Sequence, residues 1–375
     1  MFKLNDNEVL VVPCKSYDRE EIAEAYKKIF EYFIDNEIKG KSVYIKPNIL
    51  KGDKPELAST TNPEVIFPVA KHLSELGCEV QCGDSPNFIT VKKVIDSIYS
   101  STGIAKVIEE AGCKMDNSSK GTTVTGGKYL PQFKILTNVL ESDIVINMSK
   151  AKTHSFTGYT GAVKNLFGVI PGPIKGEMHL SNPNARAFSN VLIDICKTVD
   201  ADLHIIDGII GMEGPGPSSG TPKKMGVLIA SKNPYAADEV AVELMGLNRE
   251  NIPQINLARE HGLTKPIDEI KIIGADIKEI KKEYVPFKNA VVSVASYWKV
   301  LAFLLPNSLY TRLKKKPYIQ SNCIGCGVCE EACPPKAIKI KDIAQINYNK
   351  CIKCYCCQEL CPAKAIIIGK NGNED

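Results

Sequence analysis

The stretch Cys323-Ile-Gly-Cys326-Gly-Val-Cys329-Glu-Glu-Ala-Cys333-Pro334 spaces four cysteines as C-x2-C-x2-C-x3-C-P. Twenty-eight residues on, the pattern returns as Cys351-Ile-Lys-Cys354-Tyr-Cys-Cys357-Gln-Glu-Leu-Cys361-Pro362. Each half continues with a similar tail, Lys336-Ala337-Ile338-Lys339-Ile340 and Lys364-Ala365-Ile366-Ile367-Ile368. An internal repeat of this kind predicts two halves related by a pseudo-two-fold axis. Three thiolates at two-residue intervals wrap a tight turn around three irons of one cube. The fourth lies beyond a turn of helix and reaches the other cube. The spacing therefore assigns Cys323, Cys326, Cys329 and Cys361 to one [4Fe–4S] cluster, and Cys351, Cys354, Cys357 and Cys333 to a second.

This is the arrangement of a bacterial-ferredoxin-type module, a small α+β domain expected over residues 319–375. Pro334 and Pro362 end its short helices. Gly325 and Gly327 let backbone amides point at sulfur, whereas the second half has Lys353 and Tyr355-Cys356 there. The two clusters should therefore differ in environment and potential. Cys356 is left over and reads as a spare thiol beside a cluster, with ligand substitution as the alternative. Two zinc sites would also use eight thiols, but the doubled repeat argues for iron. Two cubes this closely interleaved pass single electrons at low potential.

The chain as a whole has the length and composition of a globular protein of two domains. Of its 375 residues 44% are hydrophobic and 24% charged, with a net charge of only +4. That balance announces neither nucleic acid nor an anionic membrane as partner. The first residues, MFKLNDNEVL, show no export signal, and no apolar run suits a transmembrane segment. Of 14 cysteines, nine fall at or after Cys323. The scattered others (Cys14, Cys78, Cys82, Cys113, Cys196) read as buried thiols of a cytoplasmic protein.

Residues 1–290 alternate strand-like and helix-like segments. Val9–Val12, Ser42–Lys46, Glu79–Cys82, Asp143–Asn147, Leu203–Asp207 and Met225–Ala230 read as strands. Arg19–Phe33 and Pro234–Met245 read as helices, as does a segment opened by Asn62-Pro63 and stopped by Gly77. The fold class is α/β, a mainly parallel sheet covered by helices. Lys46-Pro47-Asn48, Asp84-Ser85, Ser149-Lys150 and Asp207-Gly208 follow strand ends, the edge where such sheets bind ligands. Thr153–Gly172 and Gly211–Pro222 read as loops, the latter a cover for a site or a mobile segment. Residues 291–318, with Trp298, read as a helical connector. There is no GxGxxG turn after a strand, no Walker A loop and no nucleophile elbow.

The stretch Lys150-Ala-Lys152-Thr153-His154-Ser-Phe-Thr-Gly158-Tyr-Thr160-Gly161-Ala-Val-Lys164-Asn165-Leu-Phe-Gly168 resembles the signature of the DUF362 family. Ile45-Lys46-Pro47-Asn48, Gly83-Asp84-Ser85-Pro86 and the cysteine-rich tail match it too. That resemblance implies an architecture and no activity. His154 to Lys164, followed by Pro171-Gly172, is similar to a segment of the lactate racemase family, as are His179 and Asn184-Ala185-Arg186. In that family the lysine holds a nickel-pincer nucleotide, the first histidine is an acid/base, and a further histidine binds metal. The loop Thr160-Gly161-Ala162-Val163 departs from the serine–glycine-rich loop of the racemases, and the racemases have no ferredoxin tail.

Taken by themselves, a Gly/Thr loop and several lysines offer amides and cations to an anion. The expected site has Lys46, Asn48, Asp84, Lys152, Gly161 and Asn165 binding an anionic ligand or a further cofactor, with Lys164 and His154 as reacting groups. Asp207 and Asp238-Glu239 are weaker carboxylate candidates. The leading reading is an oxidoreductase that relays electrons between a redox partner protein, such as a ferredoxin, and that ligand. Two others stay open: an electron carrier or cluster assembly factor, and a racemase-like enzyme with a lysine-bound metal cofactor.

Overall fold

The computed structural model describes residues 1–86, 91–287, 315–370 and 373–374. The large domain's strands are β1 (Glu8–Pro13), β2 (Ser42–Pro47), β3 (Glu79–Gly83), β4 (Lys114–Asp116), β5 (Gly121–Thr125), β6 (Gln132–Leu136), β7 (Ile144–His154), β8 (Gly158–Thr160), β9 (Leu203–Glu213), β10 (Thr221–Ser231) and β11 (Lys271–Gly274). Among the described residues, nine of them form one sheet in the order β11-β1-β10-β9-β7-β2-β3-β4, with β8 on β7. Strands β2, β3, β4, β7 and β9 run parallel, and β10 turns back against β9 and β1. Strands β5 and β6 make a separate hairpin.

The sheet is apolar on both faces, as a covered parallel sheet requires. On one face α1 (Arg19–Phe30) and α2 (Pro63–Glu75) bury Ile22, Tyr26, Val65 and Val69 against Val43, Ile45 and Ile146. On the other, Tyr44 and Val145 pack with Phe188, Leu192 and Ile195 of α5 (Ala185–Val199), which follows α3 (Ala162–Asn165) and α4 (Gly172–Ser181). Each such side chain contributes about 1.5–3 kcal/mol. Asn62 caps α2 by accepting from the Glu64 amide, with Pro63 behind it. Asn233 does the same for α6 (Pro234–Leu244).

Two stretches read as loops contain regular structure. Thr153–Gly172 contains the end of β7, the return strand β8 and α3. Gly211–Pro222 contains the end of β9 and the start of β10, which leaves residues 214–220 as the connection. Glycines at 208 and 211 hid the strand, because glycine carries no side chain to give alternation. Irregular register between β7 and β9, Lys150↔Asp207 then Lys152↔Met212, takes up the extra β9 residues.

In the C-terminal region, β12 (Lys316–Ile319) pairs with β15 (Ile366–Lys370), and β13 (Ile338–Ile340) with β14 (Ala344–Ile346). The last strand, β16 (Asn373–Glu374), pairs antiparallel with the end of β15. The short helices are α7 (Val328–Glu331) and α8 (Cys356–Leu360). The connector expected at 291–318 lies, up to residue 314, outside the described residues. Its last residues belong to β12 rather than to a helix, because Pro317 and Tyr318 pair with Ile368 and Ile367.

One buried network ties β1's exit to the sheet. The Lys150 Nζ lies 2.7 Å from Asp207 Oδ2 and 2.6 Å from the Tyr17 hydroxyl, and Tyr17 donates to Asp207 Oδ1 at 2.9 Å. The Asn62 amide donates to the same carboxylate at 3.0 Å. Asp207→Ala should strand the Lys150 charge in the interior and cost about 3–5 kcal/mol, read as a lower urea midpoint. Adding Lys150→Met should recover much of that loss. An unchanged midpoint in the single variant would show that the network bears no part of the stability.

Candidate functional site

Strand β2 ends in Lys46 and Pro47, β3 runs out into Asp84 and Ser85, and β7 ends in Lys150, Lys152 and His154 on alternate positions. The carboxyl edge of the sheet is therefore polar while its middle is apolar. A cavity of about 660 Å³, counted to its open mouth, lies at this edge. Asn48, Asp84, Lys152, Lys164 and Asn165 line it, and so do Ser85 and Thr160. Five of the eight expected residues of the large domain thus converge on one space.

The other three do not line it. Lys46 is fully buried behind the wall, 3.0 Å from Asp84 Oδ2 and donating to the Pro47 carbonyl at 2.7 Å. It positions Asp84 rather than a ligand. Gly161 packs against Asp238 and Tyr159, where a Cβ would fall 2.2 Å from Asp238 Oδ1. His154 is buried one layer back and meets the cavity through another residue, Glu359. The weaker acid candidates are structural. Asp238 accepts from the Val163 amide at 3.1 Å and from the Ala162 amide, both in α3, and Glu239 pairs with Arg249 and Arg259.

The cavity's charge is uneven. The Lys164 ammonium makes no ion pair among the described residues and lies 5.8 Å from the Phe167 ring centre. Burial lowers its pKa, against the pull of Glu359. Burial and the nearby Lys164 charge push Lys152 down to about 7, and its Nζ donates to the Ser59 carbonyl at 2.6 Å. Lys175 of α4, absent from the expected set, is also pushed to about 7 by burial and bonds the Ser85 carbonyl. Asp84 Oδ1 and Asn165 Oδ1, on residues 4% and 2% exposed, have no hydrogen-bond partner among the described residues. An anion that also carries a hydrogen-bond donor would satisfy both kinds of group.

The far wall comes from the C-terminal module. Cys356, Glu359 and Leu360 of α8 line the cavity. The Glu359 Oε1 lies 3.2 Å from His154 Nε2. The other ring nitrogen, Nδ1, accepts from the amides of Phe156 at 3.0 Å and Thr157 at 3.3 Å. In the neutral ring the proton is therefore on Nε2, facing Glu359. Burial and the Lys164 charge lower the His154 pKa to about 4. Burial alone would raise the Glu359 carboxyl, but its cationic and hydrogen-bonding neighbours bring it down to about 2. The residues 214–220 clasp the same helix: Ser218 donates to the Glu359 carbonyl at 2.8 Å, and Gln358 to the Pro215 carbonyl at 3.1 Å. Pro217 lines the cavity, so this connection covers the site.

The cysteine module keeps its repeat in three dimensions. Positive φ recurs at Gly325 and Lys353, Gly327 and Tyr355, and Lys336 and Lys364. The Cys333 and Cys361 sulfurs each accept an amide at 3.2 Å, from Ala337 and Ala365. Cys329 feels the charges of Cys361, Cys323 and Cys326, while Cys357 feels those of Cys354, Cys351 and Cys333 and, last, of Cys329. Two groups of four soft thiolate donors with amides on sulfur fit cuboidal iron–sulfur clusters. Cys356 is buried and belongs to neither group. His179 stacks on Phe188 at 4.3 Å between ring centres, in an aromatic cluster with Phe156 and Phe167. Among the described residues no three or more His, Cys, Asp or Glu side chains are arranged to hold a single metal ion. Nor, among them, is any helix long and apolar enough to cross a membrane.

A family model described as "Domain of unknown function (DUF362)" matches residues 43–243, and one described as "4Fe-4S dicluster domain" matches residues 322–365. The second match makes the chain an iron–sulfur protein. The thylakoid-associated protein sll1697 of Synechocystis is 29% identical over 268 residues, 71% of this chain and 78% of that protein. Among solved structures, the lactate racemase apoprotein of Thermoanaerobacterium thermosaccharolyticum superposes with a TM-score of 0.42 at 13% identity, over 64% of this chain and 59% of the other. A Thermotoga maritima protein gives 0.38 at 15%, over 60% and 58%.

Gly168 shows how tightly the near wall is packed. A Cβ there would lie 2.2 Å from Asp84 Oδ1 and 2.6 Å from Lys46 Nζ, and both groups are buried and ion-paired. Gly168→Ala should cost about 1–3 kcal/mol by overpacking, measured as a lower thermal midpoint. A variant as stable as the parent would mean that the Lys46–Asp84 pair can move aside.

Proposed function

Because the chain belongs to the DUF362 family and its tail matches a dicluster domain, we propose that it is an oxidoreductase acting on an anionic ligand at the sheet's carboxyl edge. The observation that carries this reading is a shared wall. Helix α8 carries Cys357, leads into Cys361, and lines the cavity with Cys356, Glu359 and Leu360. In this reading Cys323, Cys326, Cys329 and Cys361 hold one [4Fe–4S] cluster and Cys351, Cys354, Cys357 and Cys333 another. When bound, such clusters supply single electrons at low potential.

The protein's own residues then divide as follows. Lys152, Lys164 and Lys175 hold the anionic group, as point charges with spare donors. Asn48, Ser85 and Asn165 orient the ligand, and Asp84 Oδ1 accepts from a donor on it. Glu359 faces the ligand as an ionised carboxylate, with His154 Nε2 3.2 Å from its Oε1. His154 is thus a positioning group rather than the acid/base itself. A polar cavity against the cysteine module favours an enzyme over a bare electron carrier. The electrons would come from a redox partner protein such as a ferredoxin. None of the fourteen cysteines is in a disulfide, which suits a reducing compartment, and we place the protein in the cytoplasm.

Lys164→Ala should weaken binding of sulfate, a dianion across the range used, by roughly ten- to a hundredfold, with cluster spectra unchanged. Equal sulfate binding by parent and variant in calorimetry would remove Lys164 from the site. The pH dependence has a definite sign. An anion needs Lys152 and Lys175 protonated, and their pKa values near 7 mean that charge is lost as pH rises. Sulfate should bind most tightly below pH 7 and weaken through pH 8. Affinity independent of pH would contradict the three-lysine site. Anaerobically purified chain should carry about eight irons, and four would mean a single cube.

A further inference from the structure

Two acceptor atoms in the cavity wall are fixed in direction by what stands behind them. Asn165 donates through Nδ2 to the Lys46 carbonyl at 3.2 Å and to Asn147 Oδ1 at 2.7 Å. Asn147 on β7 donates through Nδ2 to the Ala162 carbonyl at 2.8 Å and to Nδ1 of His204 on β9 at 2.9 Å. Each amide thus meets a backbone carbonyl, which can only accept, so neither amide can be turned over. Both hydrogens of each nitrogen are used. Burial pushes the His204 pKa down to about 3, so its ring stays neutral and Nδ1 stays an acceptor. Asp84 is held in a similar way. Its Oδ2 lies 3.0 Å from Lys46 Nζ and accepts from the Ile49 amide at 2.8 Å. Lys46 therefore secures both groups, Asn165 through its carbonyl and Asp84 through its ammonium. What is left over is Asn165 Oδ1 and Asp84 Oδ1, buried in the cavity wall with no partner among the described residues. Two hydroxyls of the same wall, Ser85 Oγ and Thr160 Oγ1, also have no partner among them.

We infer that the ligand of this cavity is a phosphorylated polyol, with its phosphate at Lys152, Lys164 and Lys175 and its hydroxyls donating to Asp84 Oδ1 and Asn165 Oδ1. This rests on the reading that the cavity binds an anion, and it names the class of that anion. Charge argues for a dianion. Lys46, Lys152, Lys164 and Lys175 stand against Asp84 and Glu359, an excess of two positive charges when all are ionised. Lysines also suit a phosphate as point charges, whereas a planar carboxylate is better matched by the fork of an arginine. The fixed acceptors argue for hydroxyls over an amine. Asp84 is already answered by Lys46, so a ligand ammonium would add a cation beside three others. A hydroxyl is neutral, donates to the fixed oxygens, and can accept from Ser85 and Thr160. Asn147 and His204 are positioning residues in this scheme, since they set which atom of Asn165 faces the ligand.

The test is calorimetry of small probes on the anaerobically purified full-length chain. Glycerol phosphate should bind about tenfold or more tightly than propyl phosphate, which has the same charge and no hydroxyl. Aminoethyl phosphate, with an ammonium in place of hydroxyls, should bind more weakly than glycerol phosphate. So should glycerate, which carries hydroxyls on a monoanion. Equal affinity for glycerol phosphate and propyl phosphate would overturn the inference, as would a preference for the amine or for glycerate. In Asn147→Leu the Asn165 amide is released, and most of the preference for glycerol phosphate over propyl phosphate should be lost. A preference of parental size in that variant would overturn the positioning of Asn165 from behind. The parent protein alone decides the ligand class, so the inference stays open to refutation even where the variant does not fold. Sulfate tells the two readings apart. Sulfate binding without any gain from hydroxyls leaves the anion site standing and removes the polyol. Binding of neither sulfate nor any phosphate removes both.

Discussion

An ammonium group taken out of water must find negative charge or change its protonation, and this chain buries several of them along one sheet edge. Removing such a charge from water costs several kcal/mol even after relaxation. Two of the lysines are answered within the large domain, Lys46 by Asp84 and Lys150 by Asp207, each from a neighbouring strand end. Lys152, Lys164 and Lys175 are not. The carboxylate that comes towards them, Glu359, belongs to the C-terminal module, more than a hundred residues away in sequence. The docking of that module is therefore an electrostatic requirement of the large domain as well as a packing event. It remains incomplete, because two carboxylates face three lysines and one of them, Asp84, is already paired with Lys46, a shortfall that an anionic ligand would make good.

The way the module docks is written in the departures from its own repeat. In the first half Gly327 takes φ +82° at no steric cost, and its neighbours Ile324, Cys326 and Val328 stay exposed. In the second half Tyr355 takes the same position at φ +68°, which a side chain adopts at roughly 1–3 kcal/mol. Its ring is fully buried in the same apolar cluster as Phe188 and Leu192 of the large domain. Burying an aromatic of this size offsets the strain. One half of a symmetric unit has thus become an interface, and the other has kept a surface. The two cysteine groups differ in environment for that reason.

How much of this could be read from the chain depends on whether a residue's partner is near it in sequence. The cysteine spacing is local and decided the module. Asn62-Pro63 and Asn233-Pro234 are local caps, and both open helices where the spacing places them. The polar strand ends pointed to the edge where the cavity lies, and Asn48, Asp84, Lys152, Lys164 and Asn165 line it, although β7 and β9 run on past Lys150 and Asp207. Lys46 and Gly161 share those motifs yet serve the wall from behind, since a motif does not say which of its side chains faces outward. Lys175 carries no motif signal. Glu359, in Gln-Glu-Leu before Cys361, carries none either. Its role exists only because His154, far off in the chain, comes to lie 3.2 Å away.

That contact also fixes what the histidine can do. The β7–β8 hairpin turns directly after His154, and the turn's own amides, from Phe156 and Thr157, point at Nδ1. An acceptor held by two backbone donors cannot carry the ring proton, so the proton resides on Nε2. That nitrogen has Glu359 in front of it. A histidine in a Gly/Thr-rich loop suggests a freely titrating acid/base, but burial and Lys164 keep this one neutral well below physiological pH. Its useful property is rigidity. It presents one donor in a fixed direction, and Glu359 is held where the sheet edge, the lysines and the cysteine-bearing helix meet.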